Sequence, residues 1–469
     1  MKKTAAPYWF IIAIACLWWL PNLFAKGMFM DGIYDALLAH NLATGISSFW
    51  APQTIYYRQP AYWDNPPLAM YFLSVWYKVL GDSYFVERIY SFSCAIVQLL
   101  LISGLWKAAF CKQNEILRLS WLPCLVFLIS PLTPWCYANN LMENTMSLFT
   151  SLSVLTFLMY WQKRRNILLY AALGGLLIFL ACITKGPVGL FPLATPIFFV
   201  LVGEKVDLKK NLTYTLFQAF VFILLFTAVF SLKAPRIFLR NYLEVQLLPV
   251  LQHQSPTSDP HYRIFVDLLL AVLPWLVMLL ITSIAKSVRL QKNGKNWGLI
   301  FLLIGISASL PIALSAKQHK YYLLPSLVFY ALSVATFLIP LAESVLIKFN
   351  TAAERTVKSV SLAVIVASVV WCFVNVGSYS RDQDLLTDIE SIQYLTKNEK
   401  VIRADWKLFD AWAMRAYLNR LYNQKLCMPD ESAPAHFYIT KQNEWGDKLP
   451  ENSLRVYAGK TFDLYQLPK

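Results

Sequence analysis

Several acidic side chains stand where apolar segments of the chain end. The stretch MDGIYDALLAHNLATG follows directly on the apolar segment 8–25 and carries Asp31 and Asp35. Asp64 stands in YWDNPPLAMY, and Glu143 stands in the turn NNLMENT between two further apolar segments. A carboxylate at the edge of a membrane is costly enough to indicate a function, such as facing an aqueous cavity at the membrane surface. The structural alternative for Asp31 is that it only marks the exit of the first helix from the membrane, or caps the helix that follows it.

Basic side chains form a second set at comparable positions. Lys185 opens the turn in ITKGPVGLFPL, while Lys317, His319 and Lys320 cluster in KQHKYYLLPSL. Arg58 lies in the loop that follows the first apolar segment. A single lysine at a membrane edge often only extends its ammonium group to the interface. A cluster within one motif instead favours a binding role.

These side chains need a membrane-spanning scaffold, and the composition predicts one. Of the 469 residues, 57% are hydrophobic and only 15% are charged. That is too apolar for a soluble domain and is typical of a polytopic membrane protein. Segments of sufficient length and apolarity to cross the hydrocarbon core number eleven: 8–25, 86–106, 119–137, 145–161, 166–184, 187–203, 212–232, 265–285, 297–315, 321–341 and 357–376.

The net charge of +15, from 42 basic and 27 acidic residues, is concentrated in alternate loops. This distribution follows the positive-inside rule and does not indicate nucleic-acid binding. The basic loops contain Lys2/Lys3, Lys107/Lys112/Arg118, Lys163/Arg164/Arg165, Lys205/Lys209/Lys210, Lys286/Arg289/Lys292/Lys295 and Lys348/Arg355/Lys358. We therefore expect the exterior side to receive segment 26–85, the turns near Asn140, Lys185 and Lys317, the loop 233–264 and the tail from 377 onward.

The first exterior loop and the tail have their own patterns. Segment 26–85 is amphipathic, and its part 66–81 is apolar but too short for a confident span, so we expect helices along the membrane surface. The tail contains strand-like runs in VIRADW, HFYIT, LRVYA and FDLYQL, with a helical DAWAMRAYLNRL after the first. The sequence predicts a transmembrane domain over 1–376 and a small exterior α/β domain over 377–469.

The order of these motifs resembles the GT-C fold glycosyltransferases that use lipid-linked sugars. An Asp after the first helix, YWDNPPLAMY, NNLMENT, ITKGPVGLFPL and KQHKYYLLPSL follow one another on one face over residues 8–345. The most similar branch is the bacterial group that includes the aminoarabinose transferase of lipid A and is related to protein O-mannosyltransferases. The resemblance implies a multi-pass protein of the bacterial plasma membrane with its active site facing the periplasm.

The resemblance implies roles for two carboxylates, and the positions of other charged side chains suggest further candidates. The family's first-loop Asp is its catalytic base and matches Asp31, which would take the proton of an acceptor hydroxyl. Asp64 matches the acidic residue before the Pro-Pro pair, and Glu143 is a further acidic candidate. The donor is a sugar on a polyprenyl phosphate, so cations are expected at the departing phosphate. The candidates for this role are Lys185, Lys317, His319, Lys320 and Arg58.

Two positions depart from the aminoarabinose branch. Asn65 stands where the family often has Lys, and Tyr34 stands where that branch tends to carry Arg. The sugar therefore stays open, as does the acceptor, whether lipid A, a surface glycan or a protein. No cofactor or metal is assigned, because His253 and His261 have no metal-binding spacing. A divalent ion bound through Asp31 and Asp64 remains an alternative.

Two other functions are compatible with eleven spans. A transporter or flippase of lipid-linked sugars would have its site near the bilayer midplane, often between inverted repeats. We detect no such repeat, and the acids concentrate at the exterior edge. An oligosaccharide ligase would share the fold and transfer a preassembled glycan.

Overall fold

The computed structural model describes residues 5–53, 62–163, 166–204, 207–252, 260, 262–284, 292–446 and 449–468. Within these ranges the α-helices are α1 Ala6–Trp19, α2 Met30–Ala43, α3 Leu68–Leu80, α4 Val86–Ala109, α5 Asn114–Leu117, α6 Leu122–Ile129, α7 Leu132–Ala138, α8 Met142–Lys163, α9 Ile167–Lys185, α10 Thr195–Leu201, α11 Leu208–Ser231, α12 Lys233–Asn241, α13 Leu248–Leu251, α14 Arg263–Ile284, α15 Lys292–Ala313, α16 Leu324–Phe337, α17 Ile339–Ile347, α18 Thr351–Val374, α19 Gln383–Leu395 and α20 Trp412–Tyr422. The strands are β1 Val401–Ala404, β2 Lys425–Cys427, β3 Phe437–Lys441, β4 Leu454–Ala458 and β5 Phe462–Gln466. Short 3₁₀ segments are Leu20–Asn22, Pro187–Ala194, Lys320–Leu323 and Trp406–Leu408, and Tyr242–Leu247 is a π-helix.

Six helices in the described part of the chain are long and apolar enough to cross a membrane, and a bent pair makes a seventh if it is one span. The six are Val86–Ala109, Ile167–Lys185, Leu208–Ser231, Arg263–Ser283, Gly294–Ala313 and Thr351–Val374, and the bent pair is Lys320–Phe337 with Ile339–Ile347. This confirms a multi-pass helical membrane protein, while the count of eleven spans stays a prediction.

Proline explains why some predicted spans are not single α-helices. Segment 119–137 is divided between α6 and α7, because Pro131 lacks a backbone N–H and forces the preceding residue out of helical geometry. Ser130 accordingly has an extended ψ of 126°. Segment 187–203 is a 3₁₀ turn, which begins at Pro187 and contains Pro192, followed by the short α10.

Backbone contacts divide the chain into two compact units. The helical unit consists of Met1–Pro21, Trp63–Ala69 and Ser91–Val374, and the tail unit consists of Asn22–Tyr62, Met70–Tyr90 and Asn375–Lys469. The tail unit therefore combines the residues after 374 with most of segment 26–85.

Small and polar residues hold the helical unit together. In α9, Gly174 and Gly175 allow close approach of α11, because a Cβ atom on Gly174 would lie 2.6 Å from Nε2 of Gln218. That amide donates to Oγ of Ser153 on α8 at 3.3 Å. Close helix approach through small residues, with hydrogen bonds between side chains of different helices, is common in membranes.

The tail unit contains a five-stranded mixed sheet in the order β2-β1-β3-β5-β4. Strand β1 pairs in parallel with β2 and β3, whereas β5 pairs antiparallel with β3 and β4. The four predicted strands and the predicted helix α20 are present. Strand β2 and helix α19 are additions that the sequence pattern did not indicate.

Candidate functional site

Four of the predicted site residues line one cavity within the helical unit. They are Asp64 before α3, Glu143 in the first turn of α8, Lys185 at the end of α9 and Lys317 after α15. The full lining is Asp64, Asn65, Glu143, Met146, Lys185, Val188, Phe191, Tyr242, Gln246, Leu247, Val250, Ala308, Ile312, Ser315, Lys317, Tyr322 and Pro325. Residues far apart in sequence thus form a mixed apolar and charged pocket.

Glu143 and Lys185 form a buried ion pair in this pocket. Nζ of Lys185 lies 3.0 Å from Oε1 of Glu143, and the side chains are 12% and 1% exposed, respectively. Each charge stands at the helix end whose dipole favours it, since Glu143 is in a first turn and Lys185 is in a last turn. The lysine Nζ also lies 5.0 Å from the ring centroid of Tyr322, within cation–π range.

The Lys-Gly-Pro turn explains why α9 ends at this lysine. Gly186 has φ +86° and ψ −158°, a conformation that essentially only glycine adopts. A side chain there would also overlap the hydroxyl group of Tyr242. Pro187 then begins a 3₁₀ segment, so the turn leaves Lys185 as the last helical residue at the cavity wall.

The basic residues Lys317, His319 and Lys320, which precede YYLLP, lie in two different environments. Lys317 is half-buried and lines the cavity. The buried Gln318 fixes this loop, because its Oε1 accepts from the backbone N–H of Ile264 at 3.1 Å. The ring of His319 stacks on Tyr321. Nζ of the exposed Lys320 lies 4.3 Å from the centroid of Trp135. Neither His319 nor Lys320 is part of the cavity lining.

Asp31 is not among the lining residues. Asp31 belongs to the tail unit, where it is half-buried in the first turn of α2. The N-cap of α2 is Phe29, so the alternative that Asp31 caps this helix is wrong. The prediction for Arg58 lies outside the described residues.

Tyr242 and Gln246 are lining residues that sequence reasoning missed. They lie in the segment taken as an exterior loop, which contains α12 and the π-helix Tyr242–Leu247. π-Helical turns are rare in proteins, but those that occur are often found at functional sites. No spacing in the sequence marked them, because their proximity to Lys185 comes from packing between distant segments.

Among the described residues, no group of three or more His, Cys, Asp or Glu side chains is placed to hold a metal ion.

Comparison with known proteins gives one family match and several structural matches. Residues 64–231 match the sequence model of the dolichyl-phosphate-mannose-protein mannosyltransferase family. This range includes Asp64, Glu143 and Lys185. No curated protein sequence matches the chain.

The solved structures show the fold. ArnT from Cupriavidus metallidurans in the apo state shares 13% identity at a TM-score of 0.69, over 98% of each chain. The same protein bound to undecaprenyl phosphate gives a TM-score of 0.66 at 12% identity, over 97% of each chain. The archaeal oligosaccharyltransferase AglB from Archaeoglobus fulgidus, in complex with an inhibitory peptide and a dolichol-phosphate, gives 0.52 at 11% identity, over 92% of this chain and 69% of that chain.

The family match and the shared fold confirm the resemblance found in the sequence and support a GT-C lipid-linked-sugar glycosyltransferase that is similar to ArnT.

Proposed function

We propose that this protein moves a single sugar from a polyprenyl-phosphate donor to an acceptor hydroxyl or phosphate on lipid A, a surface glycan or a protein. The observation that carries the proposal is the cavity in which Glu143, Lys185, Lys317 and Asp64 meet. A pocket that combines two lysines with an apolar wall suits the phosphate end of a lipid. The ArnT structure with undecaprenyl phosphate and the AglB structure with dolichol-phosphate give this ligand class further support.

The lysines have the chemistry for the departing phosphate. When the bond between the anomeric carbon and the phosphate oxygen breaks, negative charge grows on that oxygen. Charge-assisted hydrogen bonds to Lys185 and Lys317 would stabilise it. Glu143 holds the ammonium group of Lys185 in place, so this positive charge is oriented before the donor binds.

Asp31 is the proposed general base for a hydroxyl acceptor. As the acceptor oxygen forms its bond to the anomeric carbon, its proton would pass to the carboxylate of Asp31. A phosphate acceptor is already ionised and would not need this step. The two acceptor classes therefore differ in how strongly they depend on Asp31.

We place the protein in the bacterial plasma membrane with the cavity facing the periplasm. The support for this is the series of basic loops, which the positive-inside rule assigns to the cytoplasm. Lys185 and Lys317 stand in turns on the opposite side of the predicted topology. A donor lipid would then be used after its sugar has reached the exterior leaflet.

The direct test is sugar transfer by the purified protein in detergent, with a polyprenyl-phosphate-linked sugar as donor. We expect the free polyprenyl phosphate and one sugar added to the acceptor. Movement of the donor across vesicles without any sugar transfer would favour a transporter. Transfer of a preassembled oligosaccharide would favour a ligase.

The acceptor is best identified in cells with and without the protein. Mass spectrometry of lipid A, surface polysaccharide and glycoproteins should show one fraction that loses the mass of a single sugar. The fraction that loses this mass contains the acceptor, and the size of the lost mass shows whether the sugar is a hexose or a pentose.

A further inference from the structure

The backbone just before α2 is held by one tyrosine of the tail. The N–H of Met28 donates to Oη of Tyr417 at 2.7 Å, and this hydroxyl donates to the carbonyl oxygen of Met28 at 2.9 Å. Both side chains are buried, so these bonds are shielded from water. Burial raises the pKa of Tyr417 above its ordinary value, and the phenol therefore keeps the proton that it donates.

Two further contacts hold the same segment. The backbone of Lys26 pairs with the residues on either side of Tyr379. Its N–H donates to the carbonyl oxygen of Ser378 at 2.6 Å, and its carbonyl oxygen accepts from the N–H of Ser380 at 2.8 Å. The buried guanidinium of Arg88 donates to the carbonyl oxygens of Ala25 and Gly27.

The fit around this segment leaves little room for movement. Gly27 has φ +88°, and a Cβ atom there would overlap the carbonyl oxygen of Arg381. Asp31 follows Met28 by three residues, so its backbone lies within about 11 Å of the tyrosine-held position even in a fully extended chain. The start of α2 therefore lies close to the point at which Tyr417 holds the backbone.

We infer that Tyr417 is a positioning residue for Asp31. The inference rests on the proposed function, because it takes Asp31 as the general base. A base must be held close to its productive position, and a displacement of about 1 Å can cost about a hundredfold in rate. Loss of the hydroxyl group would leave the buried N–H and C=O of Met28 without these partners, which favours movement of the segment.

The test is Tyr417→Phe in the full-length protein, which removes the hydroxyl and keeps the buried ring. We expect kcat to fall roughly ten- to a hundredfold while KM for the polyprenyl-phosphate donor changes little. Hydrogen exchange of the backbone amides of residues 26–30 should become faster. The matched control is Tyr457→Phe, whose hydroxyl group bonds to Asp388 elsewhere in the tail unit, and neither readout should change.

An unchanged kcat in folded Tyr417→Phe would overturn the inference, even if amide exchange became faster. If that variant does not fold, Ser380→Ala tests the inference instead. The hydroxyl group of Ser380 contacts Gly27, which belongs to the same held segment, and Arg88, which donates to that segment. A several-fold lower kcat in Ser380→Ala supports the inference, and an unchanged kcat overturns it. Failure of the proposed function would look different, because the wild-type protein itself would transfer no sugar or Asp31→Asn would remain fully active.

Discussion

The carboxylate of Asp31 is the residue on which the proposed chemistry depends most directly. Asp31→Asn keeps the size of the side chain but removes its basicity. We expect turnover with a hydroxyl acceptor to fall by about a hundred- to ten-thousandfold, the range for a lost general base. Sugar transfer by purified variants measures this, with expression level as a check on folding.

Asp35→Asn is the matched control for this change. Asp35 lies one helical turn further along α2 and is buried at 8% exposure, so the isosteric Asn should preserve packing. We expect most activity to remain. An active Asp31→Asn beside an inactive Asp35→Asn would mean that the wrong carboxylate has been assigned.

Lys317 and Lys320 allow a test of the phosphate site with two lysines from one motif. Lys317 lines the cavity, whereas Lys320 lies over the ring of Trp135. Lys317→Ala should raise KM for the donor about tenfold or more, because a charge-assisted hydrogen bond to the phosphate is lost. Lys320→Ala should change it less than about threefold, since its cation–π contact is exposed. Equal effects of the two changes on donor KM would contradict this division.

At the scale of elements, Asp388 joins α19 to the β4–β5 hairpin. Its carboxylate accepts from the backbone N–H groups of Lys460, Thr461 and Phe462. Burial alone would raise its pKa, but hydrogen bonds from Thr461 and Lys460 outweigh burial and lower the pKa below the ordinary value of 3.8. A lowered carboxyl pKa stabilises the fold above that ordinary value, and this stability is lost as the pH falls through the folded-state pKa.

Asp388→Asn should therefore weaken the tail unit at neutral pH by about 1–3 kcal/mol, the usual cost of unsatisfied buried groups. It should also flatten the acid dependence of stability below about pH 4. Hydrogen exchange of the amides at 460–462 measures both effects. Asp384→Asn is the control, since its ion pair with Lys460 is exposed and should contribute little. If Asp388→Asn leaves the stability of the tail unit unchanged, this carboxylate does not anchor the hairpin.

At the scale of the whole molecule, the predicted topology is testable by reporter fusions. A reporter after Lys469 should be exterior and one after Arg165 should be cytoplasmic, because the basic loops are expected to stay inside. Alkaline phosphatase and fluorescent-protein fusions distinguish the two sides. A cytoplasmic tail would reverse the sidedness on which the periplasmic site depends.

The sequence alone was sufficient for the membrane-protein class, the resemblance to GT-C enzymes, four tail strands and the helix α20. These features follow from local properties, since apolar length, alternation and charge near a helix end act within a few residues along the chain. It also identified Asp64, Glu143, Lys185 and Lys317 as candidates, because they stand in motifs whose order resembles that of the GT-C enzymes.

Only the tertiary structure decided which of these residues meet. Glu143 and Lys185 are 42 positions apart in sequence, and no pattern pairs them, yet packing of α8 on α9 brings their charges to 3.0 Å. The entry of Tyr242 into the cavity and the contact of Tyr417 with Met28 are likewise long-range. Such contacts are set by how whole elements pack, because side chains that share no local pattern become neighbours only when their helices and loops are fixed against one another.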